Sequence, residues 1–373
     1  MINRILIIFI FILFILLPLS TNIFTDIEIK KGNAFKSLRN IEPIRNNFSE
    51  AINKVSRSVV GISVFIEGKE EYPWEIKDGI FYPHREKINQ INNLGSGLIY
   101  SNNGYIITNT HVIQNSNEIF VTLSGGQQIP AKIVGQDSLT DIALLKINIL
   151  DLPVAALGSP NNLVVGDWVI ALGNPLGLFD LSFQPTATIG IVSGLNIDFG
   201  IKDNGYVYKN MIQTDASINE GNSGGPLINA NGEVIGLNTF IMTGSNNNQG
   251  SIGIGFSIPI DQVTRIAHDL ILYGEVKRTY KTGLTLKPTN EYLINYLKIP
   301  FNYGLVITDI EKKSSAMQSK LKIGDVIFKV DDMIINSNQD FINVNRDNLR
   351  KSGDIISLEV WRNDSLYYFE LEL

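Results

Sequence analysis

Short apolar segments separated by glycine and asparagine turns are the feature that most restricts how this chain can fold. They recur at close spacing between residues 59 and 237, with hardly any long helical period among them. The segments with strand character are 59–65, 98–100, 105–108, 119–123, 129–134, 142–147, 168–172, 187–192, 227–228 and 234–237. Turns 101–104 and 231–232 end in Asn-Gly, which favours a hairpin. The pattern predicts a mostly β domain of antiparallel barrels rather than a parallel α/β sheet.

The periodicity changes near residue 260. Residues 260–273 carry apolar side chains at three- and four-residue spacing and are followed by Gly274, which predicts an amphipathic helix that ends there. A second unit of strands near 284, 304–310 and 325–330 then follows, with a helix at about 339–350 and a closing hairpin, 355–362 and 366–373. Ser337 is the predicted N-cap of that helix, and Gly353 lies just past its end. A short helix is also predicted at 48–55.

The N-terminal segment is strongly apolar. Residues 5–17 carry no charge, follow Arg4 and end at Pro18. A positive residue before such a run predicts a secretion signal or a signal-anchor, and Arg4 favours the inside, so the chain after about residue 25 is expected outside the cytoplasm. Two interpretations stay open: residues 5–22 remain as a membrane tether, or they are removed as a cleaved signal. The polar stretch 25–46 is predicted to be a linker.

Composition excludes several kinds of chemistry. The 373 residues include three His and no Cys, which removes disulfides, thiolate metal sites and a cysteine nucleophile. The 31 Lys and Arg against 37 Asp and Glu give a net charge of −6, without the basic stripe that a nucleic-acid partner needs. No metal site and no nucleic acid are therefore expected. Any histidine chemistry must use His84, His111 or His268.

One serine lies in a loop rich in glycine. Residues 221–226 read GNSGGP, with Ser223 in the middle. Glycines allow the backbone to turn consecutive N–H groups towards one point beside the hydroxyl, as an oxyanion hole requires. Taken alone, such a loop is also compatible with a plain turn.

A serine nucleophile needs a base, and a histidine base needs an orienting carboxylate. His111 follows the apolar strand 105–108, and Asp141 directly precedes the strand 142–147. Each residue taken alone is most often a surface or turn residue. Their occurrence in the order His, Asp, Ser within one multi-strand β domain predicts a catalytic triad.

The fuller motifs resemble those of the HtrA/Deg family, a branch of the chymotrypsin-like serine proteases. They occur in order as GSGLI at 95–99, GYIITNTHV at 104–112, DSLTDIALLK at 137–146, ALGNP at 171–175, QTDASIN at 213–219, GNSGG at 221–225 and GIGFSIP at 253–259. The resemblance implies a double β-barrel protease domain over residues 47–276 and one PDZ domain, an α+β fold, over 278–373. Residues 1–24 would be the signal-anchor or signal peptide. With one PDZ domain and an apolar N-terminus, the chain is most similar to the membrane-tethered DegS-type members.

The resemblance also assigns roles to residues. It implies that His111 is the general base, Asp141 its orienting partner and Ser223 the nucleophile. The backbone N–H groups of Gly221 and Ser223, with Asn222 between them, would form the oxyanion hole. The family uses no organic cofactor and no metal, so neither is expected here.

Two binding regions follow from the same resemblance. Ile218 and Ile241 would line the primary specificity pocket, whose apolar walls suit a small or medium aliphatic residue. Thr282, Gly283 and Leu284 would form the PDZ loop that captures the carboxylate of a peptide C-terminus. A PDZ domain that docks without capturing peptides is the alternative for this unit.

The family implies partners and an assembly. The expected substrates are unfolded or membrane-tethered proteins, cleaved in envelope quality control or a stress response, by a homotrimer that C-terminal peptides regulate. A peptide-binding chaperone or scaffold with minor proteolysis is the alternative function. Segments 179–184 and 199–208 would be regulatory loops, and insertion 67–93 would cover the cleft, mediate assembly or pack locally. Lys320 stands where the family usually has a small residue or glycine.

Overall fold

The computed structural model describes residues 47–373 apart from 67–69, 72–73, 78–79, 84–85, 88–89, 175–183, 203–204 and 242–250. At residues 66–93 and 240–241 only the backbone is described. The predicted signal or anchor, the predicted linker, His84 and most of segment 179–184 therefore lie outside the described residues. Among the residues that are described, no helix has the length and apolar character needed to cross a membrane.

Strands within residues 59–146 form a closed antiparallel barrel. The elements of this part of the chain are α1 (Asn47–Val55), β1 (Val59–Ile66), β2 (Glu70–Glu71), β3 (Trp74–Lys77), β4 (Ile80–Pro83), β5 (Glu86–Lys87), β6 (Gln90–Ile99), β7 (Tyr105–Asn109), α2 (Thr110–Ile113), β8 (Glu118–Thr122), β9 (Gln128–Asp137) and β10 (Ile142–Lys146). The strand order around the barrel is β1-β6-β7-β10-β9-β8. β2 pairs with β5 and β3 with β4, inside the predicted insertion. Alternate residues of β1, Val60, Ile62 and Val64, point into the barrel core, as the period of a half-buried strand requires.

The next part of the chain forms a second closed barrel, with strand order β11-β12-β15-β18-β17-β16. Its elements are β11 (Trp168–Gly173), β12 (Thr186–Ile197), β13 (Gly200–Ile201), β14 (Val207–Tyr208), β15 (Met211–Thr214), β16 (Pro226–Asn229), β17 (Val234–Ile241), β18 (Gly255–Pro259) and α3 (Ile260–Tyr273). β13 and β14 pair only with each other, as a two-stranded ribbon beside the barrel. Val169 and Ala171 of β11 alternate into the core beside Ile212 and Leu227.

The C-terminal part is a mixed α and β unit around one antiparallel sheet. Its elements are β19 (Leu284–Pro288), α4 (Glu291–Tyr296), β20 (Leu305–Ile310), α5 (Ser315–Gln318), β21 (Val326–Val330), β22 (Met333–Ile334), α6 (Asn338–Asp347), β23 (Ile355–Arg362) and β24 (Ser365–Glu372). The strand order is β19-β20-β21-β23-β24, and β22 pairs with β21. β19 therefore lies at an edge of the described sheet, with β20 as its strand neighbour. The two barrels and this unit confirm the predicted fold class.

Helix boundaries follow local chemistry. α3 has the predicted bounds and ends at Gly274, which takes the left-handed φ of 74°. α6 begins at a capping box, because the Ser337 hydroxyl accepts the Asp340 N–H and the Asp340 carboxylate accepts the Ser337 N–H. α6 ends earlier than predicted, at Asp347. The turn comes at Leu349, whose left-handed φ of 54° cannot continue the helix, rather than at Gly353.

Several elements around the candidate site carry weak local signals, β14 among them, and the sequence pattern does not predict them. It predicted neither β15 nor β18, although the motifs at 213–219 and 253–259 overlap them. It also placed His111 at a strand end, whereas the strand stops at Asn109 and His111 lies in the short helix α2. The apolar pattern of β7 continues into α2, so periodicity alone does not mark this boundary.

Candidate active site

His111 and Asp141 form a hydrogen-bonded pair. His111 Nδ1 lies 2.7 Å from Asp141 Oδ2, and the His111 backbone N–H donates to Asp141 Oδ1 at 3.0 Å. The His111 side chain is 33% exposed while that of Asp141 is 0% exposed. A buried carboxylate at Nδ1 favours the tautomer with a proton on that nitrogen, which leaves Nε2 as the basic atom.

The backbone of Asp141 is held in an uncommon conformation. Its φ is 59°, in the left-handed region, where a residue with a side chain costs about 1–2 kcal/mol. Its carbonyl accepts the Thr110 N–H at 3.1 Å and the Asn109 side-chain amide at 2.9 Å. Asn109 and Thr110 directly precede His111 in the chain, and both bind the carbonyl of Asp141. The turn at Asp141 therefore holds both its own carboxylate and the backbone that carries the His111 imidazole.

Two further side chains contact the Asp141 carboxylate. Thr239 Oγ1 lies 2.9 Å and the Tyr208 hydroxyl 3.1 Å from the same Oδ2 that binds His111. Together with the two contacts of His111, these donors compensate the cost of burying a charge. Tyr206 lies nearby, and burial, followed by the charge of Asp141, raises the pKa of Tyr206 to about 12. Tyr206 is therefore neutral at physiological pH.

Ser223 lies in the loop between β15 and β16. Its neighbours Asn222 and Gly224 are buried, whereas Ser223 itself is half-buried. The Ser223 hydroxyl donates to the Thr239 carbonyl at 2.7 Å. Thr239 thus contacts Ser223 through its carbonyl and Asp141 through its hydroxyl, so one residue of β17 joins the two.

A serine of the first barrel holds this loop of the second barrel. The Ser96 N–H donates to the Ser223 carbonyl at 2.9 Å, and Ser96 Oγ donates to the Gly221 carbonyl at 2.6 Å. Ser96 Oγ also accepts the Asn174 N–H at 2.7 Å. Gly224 packs so closely that a Cβ there would lie 2.2 Å from the Ser96 carbonyl oxygen. The candidate site therefore lies where the two barrels meet.

The backbone of the glycine loop has available donors. Gly221 has a φ of 94°, and the Asn222 N–H turns inward to the Asn219 carbonyl at 3.0 Å. Within the described part of the chain, neither the Gly221 nor the Ser223 N–H donates a hydrogen bond. Both N–H groups lie within two residues of the Ser223 hydroxyl, where the sequence predicts the oxyanion hole.

Both predicted pocket residues adjoin Gly255, Ile218 through its side chain and Ile241 through its backbone. Ile218 is buried, and a Cβ on Gly255 would lie 2.8 Å from its Cδ1. Gly255 of β18 pairs with Ile241 of β17, so the backbone of Ile241 adjoins Ile218 across the strand pair. The side chain of Ile241 lies outside the described residues.

The predicted carboxylate-binding loop precedes the edge strand β19. Gly283 has a φ of 77°, and a Cβ there would lie 2.2 Å from Ser314 Cβ. The Thr282 carbonyl accepts the Ala316 N–H at 3.1 Å, and Thr282 Oγ1 accepts the Leu284 N–H at 3.4 Å. The loop is therefore anchored by α5, and its own threonine occupies one donor that a peptide carboxylate would use.

Four residues of the site escaped the sequence reading: Ser96, Thr108, Tyr208 and Thr239. Thr108 Oγ1 donates to the Ser96 carbonyl at 2.7 Å and so aligns β7 with the serine loop. Ser96, Thr108 and Tyr208 lie in segments whose motifs or apolar pattern stand out in the sequence, but nothing in one sequence shows which distant residue each contacts. Thr239 carried no signal, because it looks like an ordinary β-branched strand residue.

Comparison with known families matches two parts of the chain. Residues 95–237 match the trypsin-like peptidase domain, and residues 276–373 match the PDZ domain. The first match contains His111, Asp141 and Ser223. The second contains the whole C-terminal sheet.

Individual relatives agree with these matches. A protein of Chlamydia pneumoniae named "Probable periplasmic serine endoprotease DegP-like" is 45% identical over 235 residues, which are 62% of this chain and 45% of that protein. A protein of the same name from Halomonas elongata is 41% identical over 238 residues, which are 64% of this chain and 48% of that protein. The chain thus spans about half the length of these relatives.

A solved structure covers more of the chain. The structure entitled "HtrA-type protease AlgW with decapeptide" is 30% identical, with a TM-score of 0.60, and the match covers 87% of this chain and 97% of that one. A serine endoprotease of Yersinia pestis matches with 29% identity and a TM-score of 0.54, over 88% of this chain and 98% of that one. Each match therefore covers more of this chain than either family match does alone. This chain therefore belongs to the HtrA family of serine proteases, with a trypsin-like peptidase domain followed by a PDZ domain.

Proposed function

We propose that this protein is a serine endopeptidase of the cell envelope that uses His111, Asp141 and Ser223. The observation that carries the proposal is the buried Asp141 carboxylate at 2.7 Å from His111 Nδ1, joined through Thr239 to a serine in a glycine loop. A function has to be argued from such a site, since one fold hosts many activities.

The proposed reaction proceeds by acyl transfer. The Ser223 hydroxyl turns from the Thr239 carbonyl towards His111, whose Nε2 takes the proton while Oγ forms a bond to the peptide carbonyl carbon. The N–H groups of Gly221 and Ser223 stabilise the oxyanion. The C–N bond then breaks, and His111 gives the proton to the leaving amine. Water, deprotonated by His111, releases the acyl group and restores the Ser223 hydroxyl.

We propose that the pocket at Ile218 and Ile241 selects the residue before the cleaved bond. Ile218 is buried against Gly255, so the wall it contributes is apolar and offers no charge to pair with Lys or Arg. A small or medium aliphatic side chain fits such a wall. Unfolded proteins expose these residues, which agrees with unfolded or membrane-tethered proteins as substrates.

We propose that residues 278–373 act as the PDZ domain that binds peptide C-termini at Thr282, Gly283 and Leu284. β19 offers its edge for an added strand, and Gly283 provides a positive φ beside it. A solved relative is described as carrying a decapeptide, which supports peptide binding in this family. Peptide binding would then regulate cleavage by the domain formed by residues 47–276.

Localisation and assembly are part of the proposal. The relatives are named periplasmic, and residues 5–17 form an apolar run after Arg4, so we propose a periplasmic protease in envelope quality control or stress response. In its DegS-type form, residues 5–22 tether a homotrimer to the inner membrane; in the alternative form the signal is cleaved. Sequencing the mature N-terminus together with membrane fractionation separates these two forms.

The activity is tested with the full-length chain purified in detergent. We expect it to degrade unfolded casein in the presence of a peptide with a free C-terminal carboxylate, and the amidated peptide serves as the control. Ser223→Ala should lose nearly all of this activity. A fluorophosphonate probe should label the wild-type chain but not Ser223→Ala. If the wild type stays unlabelled with the peptide present, the peptide-binding scaffold replaces the protease.

A further inference from the structure

We infer that Tyr208 is a positioning residue of the triad, which holds the Asp141 carboxylate in the orientation that His111 needs. Its hydroxyl lies 3.1 Å from Asp141 Oδ2, the oxygen that also binds His111 Nδ1 at 2.7 Å. The inference rests on the proposed function, because it assigns a role within that same site. Tyr208 does not touch the substrate and acts only through Asp141.

The strand that carries Tyr208 is attached to the turn that carries Asp141. The Val207 N–H donates to the Leu139 carbonyl at 2.8 Å, two residues before Asp141. Val207 and Tyr208 are 1% and 4% exposed, so neither side chain has solvent to move into. The backbone contact and the side-chain contact lie on successive residues and join β14 to the Asp141 turn at two points.

The chemistry of the carboxylate explains why this contact matters. Asp141 Oδ2 meets three donors, His111 Nδ1, Thr239 Oγ1 and the Tyr208 hydroxyl, whereas Oδ1 meets the His111 backbone N–H. Donors from Thr239 and Tyr208 limit rotation of the carboxylate about its Cβ–Cγ bond. If one of these two hydroxyl donors is removed, the Asp141 carboxylate lowers its free energy by rotating towards another donor. The hydrogen bond from Asp141 to His111 then lengthens.

The packing of the ring is separable from the hydrogen bond. The Tyr208 ring meets the Tyr206 ring edge to face, with centroids 6.1 Å apart. Phenylalanine keeps this aromatic contact and removes only the hydroxyl. Tyr208→Phe therefore tests the positioning role with little change to the core.

We expect Tyr208→Phe, in the full-length chain with activating peptide, to lower kcat on unfolded casein about tenfold while KM changes less than about twofold. The rate at which a fluorophosphonate labels Ser223 should fall by a similar factor, because that step needs no substrate binding. Tyr105→Phe is the matched control, because it also removes a tyrosine hydroxyl. Tyr105 begins β7, at the opposite end of the strand from His111, so the substitution should leave kcat and the labelling rate unchanged.

A double-mutant cycle with Asp141 distinguishes a role of Tyr208 in positioning the carboxylate from a general contribution of Tyr208 to the fold. In an Asp141→Asn background the charged acceptor is absent, so adding Tyr208→Phe should change the labelling rate less than about twofold. An equal tenfold loss in both backgrounds, or a wild-type kcat in Tyr208→Phe, would overturn the inference. An inactive wild type, by contrast, contradicts the proposed function itself, so the two failures are distinguishable.

Discussion

At the scale of single residues, Gly224 illustrates how close the two barrels come at the site. Its φ is 83°, and a Cβ would lie 2.2 Å from the Ser96 carbonyl oxygen and 2.3 Å from Thr108 Oγ1. Both the backbone conformation and the space therefore require glycine. The close approach of Gly224 to Ser96 also positions the neighbouring Ser223, because the Ser223 carbonyl accepts the Ser96 N–H.

Gly224→Ala should abolish cleavage and lower the free energy of unfolding by roughly 3 kcal/mol or more, because left-handed strain and a backbone clash add. Gly125→Ala is the matched control. Gly125 has a φ of 101° but no atom within 4 Å of an added Cβ, so only the conformational cost of about 1–2 kcal/mol is expected, with activity kept. Urea unfolding and casein cleavage measure both. Equal effects of the two substitutions would mean that the clash with Ser96 is unimportant.

At the scale of elements, β14 and the residue after it contact both the Asp141 carboxylate and the end of helix α6. Tyr208 contacts Asp141, and the next residue, Lys209, donates through its ammonium to the side-chain oxygen of Asn348, the C-cap of α6. Residues 207–209 thus contact the Asp141 carboxylate through Tyr208 and the residue that caps α6 through Lys209. At its other end, α6 contacts the edge strand β19, because the Asn338 side-chain amide donates to the Leu286 carbonyl at 3.4 Å. A shift of α6 on peptide binding would pull on β14 through Lys209.

Lys209→Met should therefore reduce the ratio between peptide-stimulated and basal casein cleavage, by about twofold or more. The substitution keeps the length of the side chain and removes its charge. Lys298→Met is the control, since Lys298 is largely exposed and pairs with Asp364 at 3.4 Å, within the C-terminal unit. Cleavage rates over a titration with the activating peptide give the ratio. A ratio that stays at the wild-type value in Lys209→Met would show that α6 does not act through β14.

At the scale of the whole molecule, the site exists only because two barrels meet. His111 and Asp141 come from the first barrel, and Ser223, Tyr208 and Thr239 come from the second. Ser96 spans the junction with three hydrogen bonds, from its N–H to Ser223 and through its Oγ to Gly221 and Asn174. Its side chain is completely buried, so water cannot replace these bonds.

Ser96→Ala should lower kcat about tenfold to a hundredfold, because Gly221 and Asn174 lose their shared partner and the proposed oxyanion donors, the Gly221 and Ser223 N–H groups, lose their alignment. We expect a loss of about 1–3 kcal/mol in the free energy of unfolding. Ser63→Ala, at a buried serine of β1 in the same barrel, controls for removing a hydroxyl and should keep kcat. Steady-state kinetics and urea titration measure the two effects; a kcat unchanged by Ser96→Ala would contradict the proposed role of the junction.

Much of the architecture follows from local patterns. Alternating apolar residues with Asn-Gly turns predicted the barrels, and the period of 260–273 with Gly274 predicted α3 to the residue. Strands and helix ends were not predicted where the apolar pattern or the turn residues were missing. β15 is four residues long and ends in Gln213 and Thr214, and β18 begins at Gly255 and ends at Pro259, so neither has a clear apolar strand pattern. The left-handed turn at Leu349 ends α6 without a glycine to mark it. Lys320 likewise takes a φ of 62°, the conformation for which glycine is usual.

The class of fold, the order of His111, Asp141 and Ser223, and the glycine loop follow from the sequence, because each depends on residue types and spacings along one chain. The side chains that surround those residues become known only from the folded arrangement. Tyr208 and Thr239 reach Asp141 from 67 and 98 residues away, and Ser96 reaches Gly221 across 125 residues. Contacts over such separations depend on how two closed barrels pack together, and no local pattern encodes that geometry.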